Sequence, residues 1–398
     1  MQKNWKIGSL FGIPLFLDPL WFLILALATL NFGIAYQEFG TVLAWGVGVT
    51  MALLLFGCVL LHELGHSLAA KSQGIKVNSI TLFLFGGIAA IEEESNTPFN
   101  AFQVAIAGPL VSIGLFFILR LAAYTLPETS AISAMLIDLS RINLVLALFN
   151  LIPGLPLDGG QILKAALWKV TGNRFQAIRL AARAGQILGY GAIALGLFID
   201  YQTGELITGL WIAMLGWFGI RNATAYERMS GLQETLLKLT AADTMTRDFR
   251  VVDADQTLRA FADNYLLDNT RPQVYYASSD GRYRGLVSLE SFRSIERSQW
   301  EIKTVNDIVI PLTEIPSVIE STIMAETINK LETPNLFSIT VLSPAGAVSG
   351  TIDKGDIIKA LAQKLKLRIS EAEIKRVKAE GTYPPGLNLD LLAKSVKK

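Results

Sequence analysis

The stretch VLAWGVGVTMALLLFGCVLLHELGHSL, Val42–Leu68, decides how the rest of this chain is read. From Val42 to Leu61 no side chain carries a charge. A run of about 20 such residues, wound as a helix, crosses the hydrocarbon of a bilayer. At its end stand His62, Glu63 and His66. A helix turns about 100° per residue, so His62 and His66, four apart, share one face. Two imidazoles so spaced can hold one Zn²⁺, with Glu63 beside them to take a proton from water. Ionisable groups within a span are costly and mark function. In a soluble chain HExxH is a weak signal; inside a transmembrane helix it is a strong one.

Composition agrees with a membrane setting. The 398 residues are 51% hydrophobic and 17% charged, with a mean hydropathy of +0.41, well off the soluble norm. The net charge of +1 gives no reason to expect a nucleic-acid partner. Long apolar runs fill residues 1 to about 220, and ordinary soluble composition follows. We therefore expect a membrane domain and then a soluble one. Lys3 and Lys6 precede the first apolar run, but no small-residue cleavage site closes it, so no cleavable signal peptide is expected. The single cysteine, Cys58, excludes an internal disulfide and the thiolate zinc patterns. The chain has only two histidines, both in the motif. A third histidine ligand is thus excluded, which leaves a carboxylate or, as the alternative, Cys58.

Taken in order, Ile7–Pro19 reads as a surface segment or short hairpin, with Asp18 capping a helix that begins at Pro19. Spans are expected at Leu20–Tyr36, Thr41–Ala70, Ala101–Leu119, Ile142 to about Val170, Gln186–Ile199 and Leu206–Ile220. Between the second and third, SITLFLFGGIAAIEEE reads as strand and hairpin around Gly86-Gly87, or as a loop that only returns the chain. As a hairpin it offers an edge to an extended peptide. The fourth span is interrupted at FNLIPGLPLDGGQIL, where two prolines and three glycines fall within eight residues and Asp158 sits at the break. Breaks of this kind line sites, and a carboxylate there points to a metal ligand. Asp138 and Arg141, three apart, read as partners of each other. Cations gather in one set of loops, from Lys3 and Lys71 to Arg183 and Arg221, while the other set holds essentially Arg120. This asymmetry places both termini in the cytoplasm.

Residues 240–363 contain an internal repeat. Ala242–Met245 answers to Asn306–Val309, and Ser278–Ser288 to Ser343–Asp353, each copy reading strand, helix, strand, strand, helix. A unit of that size buries its apolar face only against its twin. The tail after Lys364 is charged, helical over LRISEAEIKRVKAE and frayed beyond.

FGCVLLHELGH in one transmembrane helix, AIAGP in the next and NLIPGLPLDGG in the one after resemble the site-2 protease family of intramembrane zinc metalloproteases. The resemblance covers roughly residues 1–220, with the three motifs in the family's order. It implies His62, His66 and Asp158 as zinc ligands, Glu63 as general base and Asn150 near the catalytic centre. The segment around Phe85-Gly86-Gly87 is similar to the family's membrane-embedded β element. The repeat resembles a tandem pair of CBS domains, which accompany one branch of the family where another carries PDZ domains. CBS pairs bind adenosine nucleotides through Gly-x-x-Ser/Thr-x-x-Asp. Here the first copy has Gly285 and Ser288 but Ser291 for the acid, and the second has Gly350 and Asp356 but Asp353 for the hydroxyl. The pattern is broken in both, which leaves an adenine nucleotide and a structural or dimerising role as alternatives.

The expectation is a polytopic α-helical membrane protein of about six transmembrane helices and one membrane-embedded β-hairpin, carrying an α/β tandem CBS domain. Residues 1–221 form the metalloprotease domain, 222–239 a linker, 240–300 and 301–365 the two CBS domains, and 366–398 a charged helical or flexible tail. It is expected in the cell's inner or plasma membrane, with the CBS pair cytoplasmic. Its function reads as an intramembrane zinc endopeptidase in regulated intramembrane proteolysis, with one zinc per chain. By resemblance the substrate is a single-pass membrane protein such as an anti-sigma factor. The rivals are a transporter or channel with regulatory CBS domains, against which Glu63 argues, and an inactive scaffold, against which the intact HELGH and LDGG argue.

Overall fold

The structure is a computed structural model, and it describes residues 4–83, 86–127, 129–204, 206–266, 274–333, 336–384 and 387–395. It divides into two compact units, Met1–Ser230 and Gly231–Lys398.

The first unit opens with strands β1 (Trp5–Leu10) and β2 (Ile13–Leu17), a hairpin, followed by helices α1 (Trp21–Ala35) and α2 (Thr41–Ser72). Asp18 Oδ1 accepts the N–H of Leu20 at 2.9 Å in the turn before α1, but the helix starts two residues later than expected, with Leu20 as its cap residue and no side-chain cap. Strands β3 (Val77–Phe83) and β4 (Gly86–Ile91) come next. The sheet order is β1-β2-β3-β4, with β2 and β3 parallel and the other pairs antiparallel. The expected hairpin is therefore half of a four-stranded sheet, because β2 supplies β3 with its second partner. Phe85, expected in the turn, lies outside the described residues. Ile13, Leu15, Val77 and Ile80 of the sheet bury against Leu64 and Ala70 of α2. This seats the sheet on the turns of α2 that carry HELGH.

Five further helices follow: α3 (Pro98–Tyr124), α4 (Ala131–Asn150), α5 (Asp158–Thr171), α6 (Arg174–Thr203) and α7 (Leu206–Lys238). Among the described residues four helices, α2, α3, α4 and α6, are long and apolar enough to cross a membrane. That is fewer than the six expected. With 15 residues, α1 is shorter than the ~20 a perpendicular crossing needs. In α7 the apolar run stops at Ile220, before Arg221 and Asn222. The expected fourth span is also redrawn. It is two helices rather than one interrupted helix, since α4 begins at Ala131 and ends at Asn150, and α5 begins at Asp158. Pro153 and Pro156, without N–H groups, cannot continue the ladder, so the break closes a span rather than bisecting one. Asp138 and Arg141 do pair, at 3.2 Å, and Tyr36 donates its hydroxyl to Asp138 at 2.8 Å.

The second unit contains α8 (Ala241–Thr244), β5 (Phe249–Asp253), α9 (Leu258–Phe261), β6 (Val274–Ser279), β7 (Arg282–Val287), α10 (Leu289–Ser294) and β8 (Val309–Pro311). Then follow β9 (Ser317–Ile319), α11 (Met324–Leu331), β10 (Ser338–Leu342), β11 (Val348–Asp353), α12 (Lys354–Leu365), α13 (Glu371–Glu380) and α14 (Leu389–Ser395). The repeat is visible atom by atom at its entrances. Thr240 with Asp243 and Thr304 with Asp307 form the same capping box, 64 residues apart. Tyr276 of the first copy and Thr340 of the second share a 2.7 Å hydroxyl contact, within an apolar cluster that also holds Ile315 and Val348. The tail is helical over α13, as expected, but beyond it the chain is not frayed: α13 lies on α12 and α14 on α11, and Val377, Leu389 and Ala393 are fully buried in the core of the second copy. Their apolar spacing was masked by the charges around them. Helix α7 runs unbroken through residues 222–238, the stretch read as a linker.

Candidate metal centre

The centre is assembled by α2, α3, the end of α4 and the start of α5. Within α2, the four-residue spacing turns His62 and His66 to one side, and both are buried, at 3% and 8% exposure. Gly108 of α3 lies directly against the His66 imidazole, and a Cβ there would overlap the ring. This is why the AIAGP helix can approach the HELGH helix so closely. Asp158, first residue of α5, then faces both rings. Its Oδ2 is 3.0 Å from His62 Nε2 and its Oδ1 is 3.3 Å from His66 Nε2. The two Nε2 atoms are themselves 3.3 Å apart. Candidate ligand atoms of His62, His66 and Asp158 all lie within 4.8 Å of one another. Cys58, the alternative for the third position, is elsewhere. It is buried one turn earlier on α2, where Asn143 Nδ2 donates to its sulfur at 3.1 Å.

The outer nitrogens explain the ring orientations. His66 Nδ1 lies 2.7 Å from the carbonyl of Val104, which can only accept, so Nδ1 carries the proton and Nε2 presents a lone pair inward. His62 Nδ1 lies 2.9 Å from Ser112 Oγ. Glu63 points to the sheet side, where the backbone N–H of Ala89 hydrogen-bonds its carboxylate and Gly87 leaves room for its side chain. Asn150, at the C-terminal end of α4, brings Nδ2 to 3.3 Å from His62 Nε2. All five residues singled out by sequence thus gather at one place.

Residues 50–138 and 127–191 match peptidase family M50. The Synechocystis sp. relative sll0528, assigned as a zinc metalloprotease, is 40% identical over 371 residues, covering 91% of this chain and 96% of its own. This chain belongs to the site-2 proteases of family M50. Rip3 of Mycobacterium tuberculosis, also assigned as a zinc metalloprotease, is 32% identical over 346 residues, covering 86% of this chain and 87% of its own. A solved site-2 protease from Methanocaldococcus jannaschii is 29% identical, with a TM-score of 0.41, and covers 57% of this chain and 96% of that one. The protein is a multi-pass membrane zinc metalloprotease of the site-2 type.

The side chains of this site-2 protease fit the zinc that its family implies. The Nε2 atoms of two imidazoles and the Asp158 carboxylate converge within hydrogen-bond distance, a set of nitrogen and oxygen atoms that a cation would satisfy. Two nitrogens and one oxygen are also the donor set of catalytic zinc sites that keep a fourth position open. Sequence reading missed Val104 and Ser112, the groups that orient the metalloprotease's histidines. Their signal was present, since Val104, Gly108 and Ser112 recur every four residues and share one face of α3. In the C-terminal unit, Asp356, the acid of the broken nucleotide pattern, is buried and taken by Lys378 of α13 at 2.6 Å, with Asp353 3.1 Å from the same ammonium. In the first copy Ser288 caps its own helix by accepting the N–H of Ser291. Adenine nucleotide gains no support from either copy.

Proposed function

We propose that this metalloprotease hydrolyses a peptide bond within or near the transmembrane helix of a membrane-protein substrate. The observation that carries the reading is the convergence of both histidine Nε2 atoms on the Asp158 carboxylate, with Glu63 alongside, at the end of a span. His62, His66 and Asp158 hold the metal. Bound zinc supplies Lewis acidity, which makes water acidic near neutral pH and polarises a peptide carbonyl. Glu63 accepts the proton of the attacking water and returns it to the leaving amine. Asn150 Nδ2, close to His62, is placed to donate to the substrate backbone or to developing charge on the carbonyl oxygen.

The substrate must arrive unwound, because a helix occupies its own carbonyls. Strand β4 ends the sheet order and touches Glu63, so an extended segment that pairs with it passes beside the general base. A single-pass protein of the anti-sigma-factor kind fits this requirement. The metalloprotease domain is read as residues 1–221, followed by the CBS pair. Six crossings, with α1 and the apolar start of α7 completing the four long spans, put both termini and the CBS pair in the cytoplasm by loop charge.

The test is zinc content and cleavage of a synthetic transmembrane substrate in detergent, comparing wild type with Glu63→Ala and Asp158→Ala. Wild type should hold about one zinc per chain and cleave. Glu63→Ala should keep the metal and lose cleavage, and Asp158→Ala should lose both. Full zinc in Asp158→Ala would remove Asp158 from the ligand set.

A further inference from the structure

Beyond the metal centre, the first unit contains an ionic cluster at Glu94. Glu94 sits in the loop that carries the chain from β4 to α3. Its Oε2 lies 3.3 Å from Lys164 Nζ and 3.0 Å from Arg174 Nη2. Lys164 belongs to α5, six residues beyond Asp158, and Arg174 is the first residue of α6. The Lys164 side chain is only 9% exposed. An ammonium so placed is tolerated because a carboxylate meets it. The same loop is tied to α2 on its other side, where buried Ser95 donates to Gln73 Oε1 at 2.9 Å and Gln73 Nε2 donates to the Asn100 carbonyl at 3.0 Å.

These contacts close a loop around the site. On one side, β4 reaches Glu63 through the Ala89 N–H and the bare Cα of Gly87. On the other, α5 brings Asp158 to the histidines. Glu94 is where the chain leaving β4 is fastened to the helix that carries Asp158. Among the described residues, β4 pairs with β3 alone. The buried Lys164 is met by a carboxylate that itself stays 44% exposed, so the clasp is open to solvent on the Glu94 side.

We infer that Glu94 is a positioning residue whose clasp on Lys164 and Arg174 holds strand β4 at a set distance from α5, and so sets the width of the slot an extended substrate enters. The consequence for substrate rests on the protease reading above; the clasp itself does not. Opening it should weaken substrate pairing with β4 while leaving Glu63, the histidines and Asp158 in place.

The experiment combines hydrogen exchange of the amides in residues 86–91 with cleavage kinetics and zinc content, in the full-length zinc-loaded protein. The variants are Glu94→Gln, Glu94→Asp and Lys164→Met, the last removing the buried cation rather than orphaning it. Exchange at β4 should rise at least tenfold in Glu94→Gln and Lys164→Met, with the long helices protected as in wild type. Zinc content should be unchanged, KM should rise severalfold and kcat should stay within about twofold. Glu94→Asp should recover part of both effects. Wild-type protection of β4 in Glu94→Gln and Lys164→Met would overturn the clasp, as would equal loss of protection throughout the first unit in both. If β4 loosens as expected but wild type cleaves no transmembrane substrate, the protease reading fails and the clasp stands.

Discussion

His62 Nδ1 and the hydroxyl of Ser112 meet at 2.9 Å across two helices, so the inward direction of His62 Nε2 is set by α3 as much as by α2. Partners on the far nitrogen fix the tautomer and aim of a ligating imidazole, and their removal typically costs about 10–100-fold in metal affinity. Ser112→Ala should weaken zinc binding by about that factor, measured by competition with a chromophoric chelator. Ser112→Thr, which keeps the hydroxyl, should lie near wild type. Equal zinc affinity in Ser112→Ala would show that packing alone aims His62.

Gly108 faces the His66 ring with no space for a side chain. A methyl group inserted into a packed interface costs about 1–3 kcal/mol, and here the group that must yield is a ligand. Gly108→Ala should therefore lower zinc occupancy and cleavage together, with a modest fall in Tm. A protein that kept full zinc while losing only Tm would place the strain elsewhere.

The C-terminal helix α14 buries Leu389 completely in the second repeat. Truncating a buried leucine to alanine typically costs about 2–5 kcal/mol. Leu389→Ala should lower the urea midpoint of the second unit by a corresponding amount. An unchanged midpoint would return the tail to the frayed state expected from its composition.

For Glu94, burial by itself would raise the carboxyl, but the charges of Lys164 and Arg174 outweigh it and hold the group below the usual carboxylate range. A depressed folded-state pKa contributes stability above the unfolded value, about 4.3, and loses it as pH falls through the folded value. The Tm difference between wild type and Glu94→Gln should therefore be flat at neutral pH and shrink as pH drops below about 4. A difference independent of pH over that range would mean that the carboxylate charge is not what the clasp uses.

Much of this protein was readable from local rules. Helical period alone puts His62 and His66 on one face, and the absence of any other histidine narrows the remaining ligand to a carboxylate or Cys58. Proline chemistry marks the break at Pro153 and Pro156, and with it the residue that opens α5, Asp158. The 64-residue repeat shows itself in two identical capping boxes. Each of these depends on residues close together in the chain, where covalent geometry leaves few choices.

Tertiary structure alone decided the rest. That Asp158 rather than Cys58 faces the histidines depends on how α5 returns to α2. The partners of the two rings, Val104 and Ser112, are reached only because Gly108 lets α3 close on His66. The pairing of β2 with β3, the Glu94 clasp and the seat of α14 on α11 join residues that lie far apart in the sequence. Hydropathy marks α1 and α2 alike as apolar, and only the structure gives their lengths, 15 and 32 residues. Contacts of this kind are fixed by which backbones can approach one another, and that is a property of the packed chain rather than of any local stretch.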